Sequence, residues 1–123
     1  MGDFTSASAL EEMRRFGSVE AVHGNMDEPA LRAGLPAWLV VEAENLRIGL
    51  VHDGGPAAGR PGRLAAAFPG CELVAYGHSH MPEVTRAGTT WIVNPGSPTN
   101  RRRAPRHSLA VVRQGQPELV YLD

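Results

Sequence analysis

Apolar and polar positions divide the chain into short alternating runs separated by glycine, proline, asparagine and aspartate. Leu10 and Met13, with Ala9 and Phe16 at the margins, form one helical stripe and predict a helix over Thr5 to Phe16. Thr5 or Ser6 can cap it, Ser8 and Glu11 offer a capping box, and Gly17 stops it. Val19 to Val22 predicts a short strand leading into Gly24-Asn25. Ala37 to Glu42 and Leu46 to Val51 predict two strands joined by a hairpin at Ala43-Glu44-Asn45. Arg60 to Phe68 predicts a short helix with Pro61 in its first turn. Leu73 to Tyr76 is the next predicted strand. Glu83 to Arg86 and Trp91 to Val93 flank a turn at Ala87 to Thr90. Ser108 to Arg113 and Glu118 to Leu122 form a last pair around Gln114-Gly115-Gln116. Strand–helix alternation followed by hairpins predicts a mixed α/β domain over the whole chain.

The polar breaks between these runs carry the chemistry. They read Gly2-Asp3, Gly24-Asn25-Met26-Asp27, His52-Asp53-Gly54, Tyr76-Gly77-His78-Ser79-His80 and Asn94-Pro95-Gly96-Ser97. Each is expected where an apolar run stops, the place where loops carry functional side chains on a rigid support. His78 and His80, two positions apart at the end of the predicted strand, are expected to point the same way, because strand side chains repeat every second residue. Asp3, Asn25, His52, His78 and His80 are all oxygen or nitrogen donors, a mixture that manganese, iron, nickel or zinc accepts.

Composition removes other classes. The chain has 123 residues and a net charge of −1, which argues against a protein that coats nucleic acid or an anionic membrane. It has no apolar run of bilayer length and no visible signal peptide. All 12 basic residues are arginine, which reads as the bias of a GC-rich genome and not as evidence for phosphate binding. The single cysteine, Cys71, makes no internal disulfide and reads as a small buried residue, which fits a cytoplasmic location.

Taken in order, Gly2-Asp3, Gly24-Asn25-x-Asp27, His52, Gly77-His78-x-His80 and Asn94-Pro95-Gly96-Ser97 closely resemble the calcineurin-like metallophosphoesterase superfamily, in its small YfcE-like phosphodiesterase branch. The resemblance implies a four-layer α/β/β/α sandwich with a two-metal site. It implies that Asp3 bridges the cations, that Asn25, His52 and His78 complete one of them, and that His80 binds the other. Asp3, Asn25 and His78 thereby serve catalysis through the metal. The implied cofactors are divalent ions (Mn favoured among Mn, Ni, Fe, Zn and Mg). The implied reaction is hydrolysis of phosphodiester bonds by a metal-bridging hydroxide. The implied partner is a small phosphate ester, not a nucleic acid polymer or a membrane.

The chain also departs from that pattern. The family opens with a strand ending in Asp-x-His, whereas this sequence opens almost on Gly-Asp. The expectation is an N-terminal truncation by about one βαβ unit. The second cation would then keep only Asp3 and His80, activity would be impaired, and an uncovered sheet edge could favour a homo-oligomer. Met26 stands where many distant relatives carry a histidine, so proton donation would fall to His23, to a water or to no group. Asp27 reads as an orienter of a histidine ligand or as a turn residue, and Asp53 as a support to the site or, in preference, a turn residue. Asn94 and Ser97 read as residues that fix their loop by hydrogen bonds. Arg101, Arg102, Arg103 and Arg106 read as a solvated basic loop or a clamp on phosphate. The alternative to an enzyme is a non-catalytic interaction module on the same fold, like the retromer subunit.

Overall fold

The computed structural model describes residues 20–24, 33–43 and 45–123. The helix predicted over Thr5 to Phe16, and the candidate site residues Asp3, Asn25 and Asp27, lie outside the described residues.

Two strands open the sheet. β1 (Trp38–Ala43) and β2 (Leu46–Val51) run antiparallel, with Ala43 opposite Leu46. Asn45 makes the turn between them in the left-handed region at φ 67°, a conformation asparagine tolerates better than most residues. Helix α1 (Arg60–Ala67) follows. Gly59, also left-handed, turns the chain into it, and Pro61 sits in its first turn, where its missing N–H goes unused. β3 (Leu73–Ala75), β4 (Glu83–Ala87) and β5 (Thr90–Asn94) complete a five-stranded sheet in the order β1-β2-β3-β5-β4. β6 (Ser108–Arg113) and β7 (Gln116–Tyr121) form a separate antiparallel pair. Their turn, Gln114-Gly115, has positive φ at both residues, the backbone that matches a tight hairpin's twist. This mixed sheet with its packed helix is the α/β class expected from the sequence.

β3 is the centre of the sheet, parallel to β2 on one side and to β5 on the other. Leu73 and Val74 are both buried, so both faces of the strand are covered. That accounts for an unbroken apolar run where a half-exposed strand would alternate. Helix α1 covers one face. Leu64 and Phe68 pack there with Cys71, Val74, Tyr76 and Ile92. The Phe68 ring lies so close over Gly49 that a methyl group on Gly49 would fall 2.5 Å from it.

One expectation fails at the start of the described chain. Glu20 to Val22 belongs to no strand, although Ala21 and Val22 are buried as an apolar run should be. Burial there comes without ladder pairing. The next residue, His23, donates its backbone N–H to the Pro36 carbonyl at 3.0 Å.

The parallel core decides where polar residues gather. β2, β3 and β5 are neighbours and point the same way, so their C-terminal ends meet along one edge of the sheet. His52 follows the end of β2, Gly77-His78 follows β3, and Asn94 closes β5. Ligands characteristically bind outside the carboxyl ends of such strands. No helix among the described residues is long and apolar enough to cross a membrane.

Candidate metal centre

At this edge His52 and His78 meet. His52 Nε2 lies 3.2 Å from His78 Nδ1, and the two rings are nearly perpendicular, with centroids 5.2 Å apart. His52 is buried and His78 half-buried. The backbone stitches the two segments together as well, since Gly77 N–H donates to the His52 carbonyl at 2.7 Å.

His78 and His80 do not share a strand face. β3 ends at Ala75, and both histidines lie beyond it with left-handed backbones, φ 73° and 63°. The alternation rule therefore does not apply to them. Side chains with a Cβ enter this region at a cost of roughly 1–2 kcal/mol each, and such backbones persist where the surroundings over-determine them. The surroundings here are a set of hydrogen bonds. Ser79 N–H donates to the Gly77 carbonyl at 2.9 Å. Ser79 Oγ accepts from Asn94 Nδ2 at 3.1 Å and from Met81 N–H at 3.3 Å. The His80 ring meets the Asn100 carbonyl through Nδ1. Because a carbonyl only accepts, Nδ1 carries the proton and the lone pair is left on Nε2. This is the usual way a ligating imidazole is held.

Asn94 is fully buried and works in two directions. While Nδ2 holds Ser79, Oδ1 accepts the Gly96 N–H at 3.0 Å. Ser97 is also buried, and its Oγ accepts the N–H groups of Thr99 and Asn100 at 3.3 and 3.0 Å. Asp53 Oδ1 accepts the Gly55 N–H at 2.8 Å, which makes it a turn residue. Cys71 is buried and close to the helix, not the site. Burial pushes its thiol up, against a smaller opposing pull from Arg47, so it is a poor nucleophile.

A second polar group went unread in the sequence. The buried Tyr76 donates its hydroxyl to Glu83 Oε1 at 2.7 Å and accepts from Arg60 Nη1 at 3.1 Å. Arg60 also lies over the Tyr76 ring, 4.9 Å from its centroid, and donates twice to the Gly55 carbonyl. Arg63 holds the same loop through the carbonyls of Gly54, Pro56 and Ala58. The two arginines of α1 thus pin the loop that leaves His52. The only local hint was a tyrosine immediately before Gly-His.

Among the described residues no group of three His, Cys, Asp or Glu side chains converges to hold a metal. The site as described is the His52–His78 pair, with His80 in the same loop. His23 is half-buried, and among the described residues its side chain is not joined to the hydrogen-bonded groups of this edge. The pair fits a cation on geometric grounds. Nitrogen ligands at about 2.0–2.1 Å from one ion lie roughly 2.9–3.4 Å apart in octahedral or tetrahedral arrangements, and 3.2 Å falls inside that range.

Comparison with known proteins points the same way. Residues 1–115 match the model of the calcineurin-like phosphoesterase superfamily domain. A protein of Methanothermobacter thermautotrophicus named "Probable metallophosphoesterase" is 36% identical over 104 residues, covering 80% of this chain and 58% of that protein. The chain spans about half the length of the curated archaeal relatives it matches, 58% and 50%. The solved structure of a novel archaeal phosphodiesterase superposes with a TM-score of 0.78 at 18% identity, covering 98% of this chain and 79% of that one. Wild-type Vps29 from Entamoeba histolytica, solved as a zinc complex, superposes with a TM-score of 0.68 at 22% identity, covering 96% and 76%. At these identities the two structures establish the fold.

Proposed function

The chain belongs to the calcineurin-like phosphoesterase superfamily, and from that premise we propose that it hydrolyses phosphodiester bonds with the help of divalent cations. The observation that carries this reading is the approach of His52 Nε2 to His78 Nδ1 at the carboxyl edge of the parallel strands. In this reading His52 and His78, with Asp3 and Asn25, hold one cation, and His80 with Asp3 holds the other. Manganese is the favoured metal. When bound, such ions activate water and take up negative charge on phosphoryl oxygens.

The remaining work belongs to the chain. The Asn100 carbonyl keeps the His80 proton on Nδ1 and so presents Nε2. Asn94 and Ser97 are positioning residues: Asn94 braces Ser79 between the two histidines, and Ser97 holds the loop that carries Asn100. Asp27 is assigned to orienting a histidine ligand. As the ester P–O bond breaks, the leaving oxygen needs a proton. His23 is the candidate donor, and a good leaving group such as a nitrophenolate needs none.

Release of nitrophenolate from bis(p-nitrophenyl) phosphate in the presence of manganese tests the reading. Turnover that a chelator abolishes and His78→Ala removes supports it. A folded, manganese-saturated chain without turnover contradicts it. The second reading, a non-catalytic interaction module, is favoured by the likeness in fold to Vps29. It predicts no turnover together with specific retention of one partner protein.

A further inference from the structure

Two hydrogen bonds tie the arginine-rich loop to the two histidines of the Gly-His-x-His segment. Arg102 Nη1 donates to the carbonyl of His78 at 2.8 Å. Two residues earlier, the Asn100 carbonyl takes the Nδ1 proton of His80.

The loop is constructed from within. Asn100 N–H is held by the buried Ser97, and Asn100 Oδ1 accepts the Arg102 N–H at 3.3 Å. Arg101 Nη1 donates to the Ala104 carbonyl at 2.8 Å, Ala104 N–H returns to the Arg101 carbonyl at 2.9 Å, and Ala104 is fully buried. Between these anchors Arg102 takes a left-handed backbone, φ 48°. An arginine that served only solubility would need none of this.

The neighbouring arginines are used differently. Arg101 is spent on the Ala104 carbonyl. Arg106 donates to the Asp123 carbonyl and stacks over Tyr121 at 4.5 Å. Arg103 is exposed. Arg102 alone of the four reaches the histidine segment. A guanidinium carries five N–H donors in a rigid fork. Among the described residues the Arg102 side chain donates once, to a neutral carbonyl, and pairs with no carboxylate. It brings a positive charge to within one hydrogen bond of the His78 backbone.

We propose that Arg102 binds a non-bridging oxygen of the substrate phosphate. The inference rests on the phosphoesterase reading above. The chemistry recognised is an anionic phosphate ester, gripped by charge-assisted N–H···O bonds while one N–H stays on the His78 carbonyl. A phosphate seated on Arg102 is therefore held close to the His78 backbone, to which the same guanidinium is bonded.

The test titrates inorganic phosphate into the full chain loaded with manganese, by calorimetry, for the parent and for Arg102→Ala, Arg102→Gln and Arg113→Ala. Arg113 is exposed at the end of β6 and serves as the charge-matched control. Thermal unfolding and manganese affinity are read on the same samples. Loss of a charge-assisted pair weakens phosphate binding in Arg102→Ala by roughly ten- to a hundredfold. Arg113→Ala stays within about twofold. Arg102→Gln keeps a donor for the His78 carbonyl but not the charge. It shows the same loss of phosphate affinity, and it carries the test if Arg102→Ala fails to fold.

The proposal is overturned if the parent binds no phosphate, if the Arg102 variants bind it as the parent does, or if Arg113→Ala loses as much. Changes confined to unfolding temperature or manganese affinity also overturn it, because they assign Arg102 to bracing alone. Diester hydrolysis on the same samples separates the two readings. Arg102-dependent phosphate binding without turnover supports the anion site and removes the activity. Turnover with phosphate binding indifferent to Arg102 does the reverse.

Discussion

Gly96 and Ser108 approach so closely that a methyl group on Gly96 would fall 2.0 Å from Ser108 Oγ. Ser108 is fully buried and donates that hydroxyl to the Pro95 carbonyl at 2.9 Å, and its N–H to the Ser97 carbonyl at 3.0 Å. The Asn-Pro-Gly-Ser loop is therefore clamped against the first residue of β6, and Gly96 also holds φ 76°. Gly96→Ala meets both obstacles, overpacking and a left-handed backbone. It should destabilise the chain by about 2–4 kcal/mol in urea unfolding. Ser108→Ala should cost less, about 1–2 kcal/mol, because it strands only the Pro95 carbonyl. A Gly96→Ala chain as stable as the parent would contradict this packing.

Asn94 connects that loop to the histidine segment. Asn94→Ala leaves the Ser79 hydroxyl and the Gly96 N–H without their buried partner. Stability should fall by about 1–3 kcal/mol. Under the proposed function, diester hydrolysis should fall more than tenfold at temperatures where the variant remains folded. Full activity in a folded Asn94→Ala chain would show that bracing of Ser79 is not needed.

Tyr76 gives a pH dependence. Burial first, and then the hydrogen bond to Glu83, raise its phenol above the ordinary value of 10.0, against a smaller pull from Arg60. The folded state thus holds the proton more tightly than the unfolded state. The resulting contribution is fully present below pH 10.0 and is lost as pH rises through the raised folded value. Tyr76→Phe should remove this alkaline loss. At neutral pH the same variant should be less stable by about 1–3 kcal/mol, since Glu83 and Arg60 lose a shared partner. Urea midpoints between pH 7 and 11 check both signs, and parallel curves for parent and variant would refute the assignment.

The elements with local signals were legible. β2 keeps the bounds its apolar run implied, and α1 falls one residue short of them at Phe68, whose ring turns instead onto Gly49. The Gln114-Gly115 turn was written in its glycine. The ordered polar breaks also announced the histidine edge, because β2, β3 and β5 lie parallel and bring their ends together. What could not be read was tertiary. Nothing near His78 or His80 says that β3 stops at Ala75 and that both residues turn left-handed. That depends on Asn94 and Asn100, which lie sixteen and twenty residues beyond these histidines and hold the segment by hydrogen bonds. Arg60 opens α1, Tyr76 follows β3 and Glu83 opens β4, and the three share no local pattern. Arg102 looked like part of a charge run, and only its bond to the His78 carbonyl distinguishes it from Arg103.

The central claim is that His52 and His78 share one cation. Electron spin-echo spectroscopy of the manganese-loaded chain reads it directly, through the coupling of the metal's electron spin to imidazole nitrogen. The account predicts nitrogen coupling in the parent that weakens in His52→Ala and again in His78→Ala, and vanishes at this ion when both are replaced. A parent spectrum showing oxygen ligands alone, or one unchanged by either substitution, would contradict it.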